Sequence, residues 1–158
     1  MKAYWTAFDT SLKPTVLAAR RRRLAHVLRA CLGGQVLILQ ARGDLDGAMA
    51  LLKEVERICR QLGKLDGIQG TLGNQASILQ DRGDLDGAMA LRKEAERICR
   101  QLGNVNGLAI SLENQAFTLL QMGRAREGLP LAEEAYRLAT THGLAPLAKQ
   151  IKGILDAI

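Results

Sequence analysis

The 158-residue chain predicts an all-α fold, an α-solenoid of stacked antiparallel helical hairpins, and three observations carry that prediction. First, residues 32–71 and 72–111 agree at 27 of 40 aligned positions, and RGDLDGAMAL stands letter for letter at Arg42–Leu51 and again at Arg82–Leu91. A repeat of this period points to a solenoid or a propeller. Second, aromatic residues make up only 3% of the chain, while alanine and aliphatic residues are abundant. That suits closely approaching helices better than strands, where bulky branched and aromatic side chains prefer to sit. Third, Leu85, Ala88, Met89, Leu91, Ala95, Ile98, Cys99 and Leu102 mostly recur at three- and four-residue steps, as one face of a helix requires.

Residues 1–31 are expected to form a basic helical N-terminal extension that caps the stack. Residues 1–43 hold Lys2, Lys13, Arg20, Arg21, Arg22, Arg23, Arg29 and Arg42 against Asp9 alone, a balance of +7. The rest of the chain carries −1, so the overall charge of +6 is a local property of this segment. Leu24, Val27, Leu28 and Cys31 make the stretch helical in pattern. The cluster Arg20, Arg21, Arg22 and Arg23 is a candidate contact for nucleic-acid phosphates or an acidic surface, through counterion release. Four consecutive residues, however, wrap around a helix, and the aromatic side chains that stack on single strands are scarce. An Arg-rich, acid-poor N-terminus also resembles a transit peptide in composition. A solvated cap is the preferred reading, with nucleic acid an unfavoured partner.

Three hairpins follow, over residues 32–71, 72–111 and 112–143, the third a diverged copy beginning LENQAFTLLQMGRAREG. In the second, a first helix is expected from about Gly67 to Arg82. Gly83 then takes the left-handed position, and Asp84 caps a second helix that runs to about Leu102 and stops at Gly103. Gly63 and Gly143 are the equivalent stops. The pairs Glu56/Arg60, Glu96/Arg100 and Glu133/Arg137 are four apart and read as a solvated helix face. Residues 144–158 form a C-terminal capping helix, with Pro146 in its first turn and Leu147, Ile151, Ile154, Leu155 and Ile158 on one face. A hairpin cannot bury its apolar face alone, so such ends need covering.

The repeated phrase itself admits two other readings. As a calcium loop it fails on spacing: counting from Asp84, the fifth position is Ala88 and the twelfth Ala95, where oxygen ligands are required. As an adhesion tripeptide, RGD would have to be presented on a loop, whereas here the arginine ends one helix and the aspartate starts another. It is a structural corner, and no metal site is expected.

Catalysis finds no support either. The two histidines, His26 and His142, have no recurrent carboxylate or cysteine partner, and LGGQ and LGNQ lack the lysine of a phosphate-binding loop. The three cysteines, Cys31, Cys59 and Cys99, are an odd number without CxxC spacing; Cys59 and Cys99 occupy the same place in successive units and read as small buried residues. That usage favours a reducing cytoplasm. No apolar run approaches a membrane span or a secretory signal core, so the chain reads as soluble. No enzyme activity and no cofactor are expected.

The units resemble tetratricopeptide repeats of a longer, forty-residue variety. The matching positions are Leu32, Leu72 and Leu112 early in the first helix, the smaller Val36, Ala76 and Ala116 four on, and Leu39, Leu79 and Leu119 three further. Gly43, Gly83 and Gly123 stand between helices, followed by Ala48, Ala88 and Gly128, then Val55, Ala95 and Ala135. The chain departs from the family pattern at Gln35, Gln75 and Gln115, where leucine is usual, and at Arg92, whose equivalents are Leu52 and Ala132. Either the helices are rotated, or these polar groups reach a partner or a neighbouring chain.

The resemblance implies a right-handed superhelix whose first helices line a concave groove. Its candidate contacts are Asn74, Ser77, Gln80 and Asp81 in the second unit, and Asn114, Phe117, Leu120 and Gln121 in the third. In the first unit the same places hold Gly34, Leu37, Gln40 and Ala41, of which Gln40 is the polar candidate. The groove is thus expected to be polar in the middle and more apolar towards its ends. Asparagine amides can both donate to and accept from an extended peptide; the competing reading is that they bridge neighbouring helices. Gly67, Gly70 and Gly73, each costing about 1 kcal/mol relative to alanine inside a helix, imply close approach by an adjacent helix or a ligand. The function expected is a non-catalytic scaffold that binds a peptide or a helix of a partner protein. The alternatives are a self-assembling protein that forms dimers or head-to-tail oligomers through its repeat ends, and anion binding through the arginine cluster.

Overall fold

The computed structural model describes residues 35, 36 and 38–158, and the expectations for residues 1–31, including Arg20, Arg21, Arg22 and Arg23, and for Gly34 and Leu37, lie outside them. The chain divides into two compact units at Lys64.

In the N-terminal unit, residues 38–41 are helical, Gly43 turns the chain at φ 76°, and α1 spans Leu45–Gln61. Asp44 caps α1 by accepting the Gly47 amide at 2.8 Å. Ala48, Met49, Leu52, Val55 and Cys59 are buried along one stripe. Gln40 is half-buried at the end of the preceding helical segment, and Gln35 is exposed.

The C-terminal unit holds five helices: α2 (Leu65–Asp81), α3 (Leu85–Leu102), α4 (Val105–Gln121), α5 (Ala125–Thr141) and α6 (Ala145–Leu155). Each packs on the next in sequence, and α4 also touches α6. That is the one-dimensional contact pattern of a solenoid, in which a repeat meets only its neighbours. The first helix of the second unit begins at Leu65, two residues before the expected Gly67, because the turn at Gly63 releases the chain earlier.

Each corner turns on a left-handed glycine, and the one at Gly83 shows the full pattern. Gly83 has φ 81°, its amide donates to the Gln80 carbonyl at 2.9 Å, and the Asp84 amide donates to the Leu79 carbonyl at 2.9 Å. This closes the end of α2 with a left-handed glycine. Asp84 then opens α3: its Oδ1 accepts the Gly87 amide at 2.8 Å and its carbonyl accepts the Ala88 amide at 3.0 Å. One residue therefore ends one helix and starts the next. At Gly103 the same corner uses Asn104 as the cap, on the Gly107 amide at 3.0 Å. Arg124 makes no side-chain cap on α5 and instead pairs with Glu127.

Small residues set the spacing of the helices. Ala76, Ala88, Ala116, Ala132, Ala135 and Ala139 are fully buried, so backbones approach where a longer side chain would hold them apart. At Gly128 the approach is to backbone, and a Cβ would lie 3.1 Å from the Ala116 carbonyl oxygen. Cys59 and Cys99 are free thiols and buried, as small core residues. On α6, Pro146 occupies the first turn, Ile151 and Ile154 are buried, and Leu147, Leu155 and Ile158 lie against the core formed with α4 and α5.

The close approach expected at Gly70 and Gly73 is not made by a neighbouring helix. A Cβ at either would meet nothing within 4 Å, so both leave open space beside α2. Gly67 is buried.

Candidate functional site

The first helices α2, α4 and α6 line a concavity of about 330 Å³, and it gathers five of the candidate groove residues. Ser77, Gln80 and Asp81 come from α2, Asn114 and Phe117 from α4, with Glu113 beside them; Gln150 and Ile154 come from α6. Arg92, on the second helix α3, reaches it from behind. Asn74 and Gln121 are exposed and Leu120 is half-buried, all three outside this lining, and Gln40 belongs to the N-terminal unit.

The floor is charged although it is buried. Arg92 is 4% exposed and Glu113 5%. The Arg92 guanidinium donates through Nη1 to the Asn114 carbonyl at 3.0 Å and to Thr118 Oγ1, and through Nη2 to Gln80 Oε1. Its own carbonyl accepts the Ser111 hydroxyl at 3.0 Å. Glu113 Oε1 accepts the Gln150 amide at 2.9 Å, which ties α6 to α4 across the mouth of the site. Burial pushes the Glu113 carboxyl above the ordinary carboxylate range, against the opposing pull of the Gln150 hydrogen bond and the Arg92 charge. Burial likewise lowers the Arg92 guanidinium from its ordinary value, and the Glu113 charge partly restores it. Burying such charges costs several kcal/mol that pairing rarely repays in full, so stability alone does not explain them.

Two of the departures from the repeat pattern, Arg92 and Gln115, are answered within the fold. Arg92 does not wait for a partner chain: it bonds α4 and Gln80. Gln115, 1% exposed, donates to Glu96 Oε2 at 2.7 Å. Glu96 also holds Arg100 at 2.9 Å, and Arg100 reaches Glu134 on α5 at 3.1 Å. The Glu96/Arg100 pair, read from spacing as a solvated face, is exposed as expected and is also part of a network joining three helices. Asn114 Nδ2 donates within its own helix, to the Ile110 carbonyl at 2.9 Å, and not to a neighbouring helix. Gln80, expected as a ligand contact, spends its carbonyl oxygen on Arg92.

Four lining residues escaped the sequence reading: Arg92 as part of the groove, Glu113, Gln150 and Ile154. A signal for two of them lies in the repeat itself. Arg92 stands where the other units have Leu52 and Ala132, and Glu113 where the chain otherwise has Gly33, Gly73 and Gly153.

A second concavity, of about 360 Å³, lies on the opposite side between α3 and α5, with Met89, Lys93, Leu119 and Leu131 in its wall. Its charged groups are largely engaged with one another, Glu96 with Gln115 and Arg124 with Glu127 at 2.7 Å. Among the described residues no helix is long and apolar enough to cross a membrane, and no three metal-ligating side chains cluster.

Hairpins packed in series, each closed by a left-handed glycine, with first helices along one concave face, define an α-solenoid repeat protein. Residues 67–141, a little under half of the chain, match the family model described as Tetratricopeptide repeat, which supports the resemblance read from the sequence. Tetratricopeptide repeats generally mediate protein–protein interaction and are typically non-catalytic. Among solved structures, the chain is similar to that titled "Crystal structure of BtubC (BKLC) from P. vanneervenii", with a TM-score of 0.65 and 18% identity. The likeness covers 89% of this chain and 70% of that one, and it shows the fold alone. No curated protein matches the chain in sequence.

Proposed function

We propose that the chain is a non-catalytic interaction module that holds an extended peptide or a helix of a partner protein along the concave face of α2, α4 and α6. The observation that supports this reading is the concavity of about 330 Å³, whose polar floor and exposed Phe117 ring combine apolar area with hydrogen-bonding groups. Ligand sites are concave and combine apolar walls with a few placed polar groups. The open space beside Gly70 and Gly73 extends the same face along α2 and lets a ligand backbone lie close to the helix.

A photo-crosslinking residue at position 117 tests the proposal in the native host. Partners crosslinked there should be lost from the triple variant Asn74→Ala, Asn114→Ala, Phe117→Ala, with helicity unchanged. Recovery of the same partners at the same yield from the variant, by affinity capture, overturns the groove reading.

A further inference from the structure

We propose that the concavity selects a cationic side chain, the guanidinium of arginine or the ammonium of lysine, on the bound peptide; this rests on the groove reading and names what its deepest pocket takes. Two carboxylates, Asp81 and Glu113, line it against one guanidinium. That guanidinium already gives its terminal nitrogens to the Asn114 carbonyl, Thr118 and Gln80. Glu113 is the decisive group. Gln150 is the donor on its Oε1, and among the described residues no buried side-chain oxygen or nitrogen lacks a partner. Its other oxygen is therefore reached from the open concavity, while the rest of the residue is buried.

Three of the remaining lining groups spend a donor within the fold, while Gln80, whose oxygen is on Arg92, keeps its amide hydrogens. Asn114 Nδ2 serves the Ile110 carbonyl, the Ser77 hydroxyl serves the Gly73 carbonyl at 3.2 Å, and Gln150 Nε2 serves Glu113. What distinguishes the lining is its charge, two carboxylates against one guanidinium whose terminal nitrogens are engaged. An anion would meet two carboxylates and have to displace the three acceptors on Arg92; a cation meets complementary groups. Phe117, 38% exposed on the same wall, offers a ring face, to which cations are attracted, and with Ile154 a cover for the aliphatic stem. The volume corresponds to roughly ten waters, room for one long side chain. A bound cation also compensates the cost of keeping Glu113 ionised where burial disfavours it.

The test is selection of a random-peptide display library on the whole chain, keeping peptides that lose binding to Phe117→Ala. Selected peptides should carry a required Arg or Lys. Replacing it by the uncharged citrulline or norleucine should weaken binding by about tenfold or more, the scale of a hydrogen bond to a charged group. Glu113→Gln and Asp81→Asn should produce losses of the same order; Asp81 is exposed, so its variant decides the matter if Glu113→Gln fails to fold. Groove-bound peptides that tolerate those replacements overturn the cation inference and leave the groove reading intact. If no selected peptide depends on Phe117, the groove reading falls and this inference with it.

Discussion

The corner at Arg82–Leu91 ends one residue before Arg92, yet it and the concavity around that arginine are built on opposite principles. The corner is made of residues the chain repeats: Gly83, Asp84, Gly87 and Ala88 have the same identities at Gly43, Asp44, Gly47 and Ala48. Its hydrogen bonds close within six residues, and each group satisfies a helix end that would otherwise be open. The concavity is distinguished by residues the chain does not repeat, Arg92, Glu113, Phe117 and Gln150, and its polar three are bonded to groups 12 to 37 positions away. It buries charge, which a frame built for stability would avoid. Repetition marks what holds the array together, and its interruption marks where the array has been adapted.

The largest expected effect comes from restoring the repeat in the site. Arg92→Leu, the residue of the first unit, strips Glu113 of its nearby positive charge and should destabilise by about 3 kcal/mol, the cost of leaving a buried charge unpaired. Adding Glu113→Gln should recover most of that loss in urea denaturation. Additive effects in the double variant would mean that the two groups are not coupled, and the contrast drawn above would lose its energetic basis.

Variants of the frame should cost less. Gly128→Ala drives a Cβ to 3.1 Å from the Ala116 carbonyl, a backbone atom that cannot swing away, and about 1.5 kcal/mol is expected from overpacking. A thermal shift between wild type and variant measures it. Asp84→Ala removes the cap of α3 and should cost about 1 kcal/mol. Because the backbone bonds at Gly83 remain, binding at the groove should be untouched. A loss of affinity in a correctly folded Asp84→Ala protein would show that corner and site are not separable.

The smallest effect is in pH. Burial raises the Glu113 carboxyl in the folded chain, so its protonated form is favoured there over the unfolded state. Its contribution to stability is complete below the ordinary carboxylate value and is lost as pH rises through the raised one. Relative to Glu113→Gln, the wild type should therefore gain stability as pH falls from neutral towards 4.5, the ordinary value. Paired denaturation curves at several pH values read this difference directly. A gap that does not change with pH would mean that Glu113 titrates normally.

The frame was legible in the sequence because its causes are local. A left-handed glycine, a capping aspartate and a stripe at helical spacing each lie within one turn or one helix, so the corners at Gly43 and Gly83 and the helix α3 could be read residue by residue. The concave face was legible through the family resemblance, which placed Ser77, Gln80, Asp81, Asn114 and Phe117 on one side. The floor was not, because Arg92 meets Gln80 and Asn114, and Glu113 meets Gln150, only after three layers of helix have stacked. Spacing on a single helix shows nothing of such contacts. Glu96 illustrates the same limit: its four-residue partner Arg100 was visible, and its cross-helix partner Gln115 was not.

The corner has one further consequence. Since Asp84 completes the end of α2 and the start of α3 with groups from its own neighbourhood, the joint is self-contained and carries no information about which hairpin comes before or after it. The corner at Gly103, which links one hairpin to the next, is closed by its own neighbours in the same way, with Asn104 as cap, so hairpins can be copied, deleted or exchanged as whole cassettes without redesigning the splice. The concavity, spread over α2, α3, α4 and α6, has no such portability, so each change in the number of cassettes either preserves that neighbourhood intact or abolishes it.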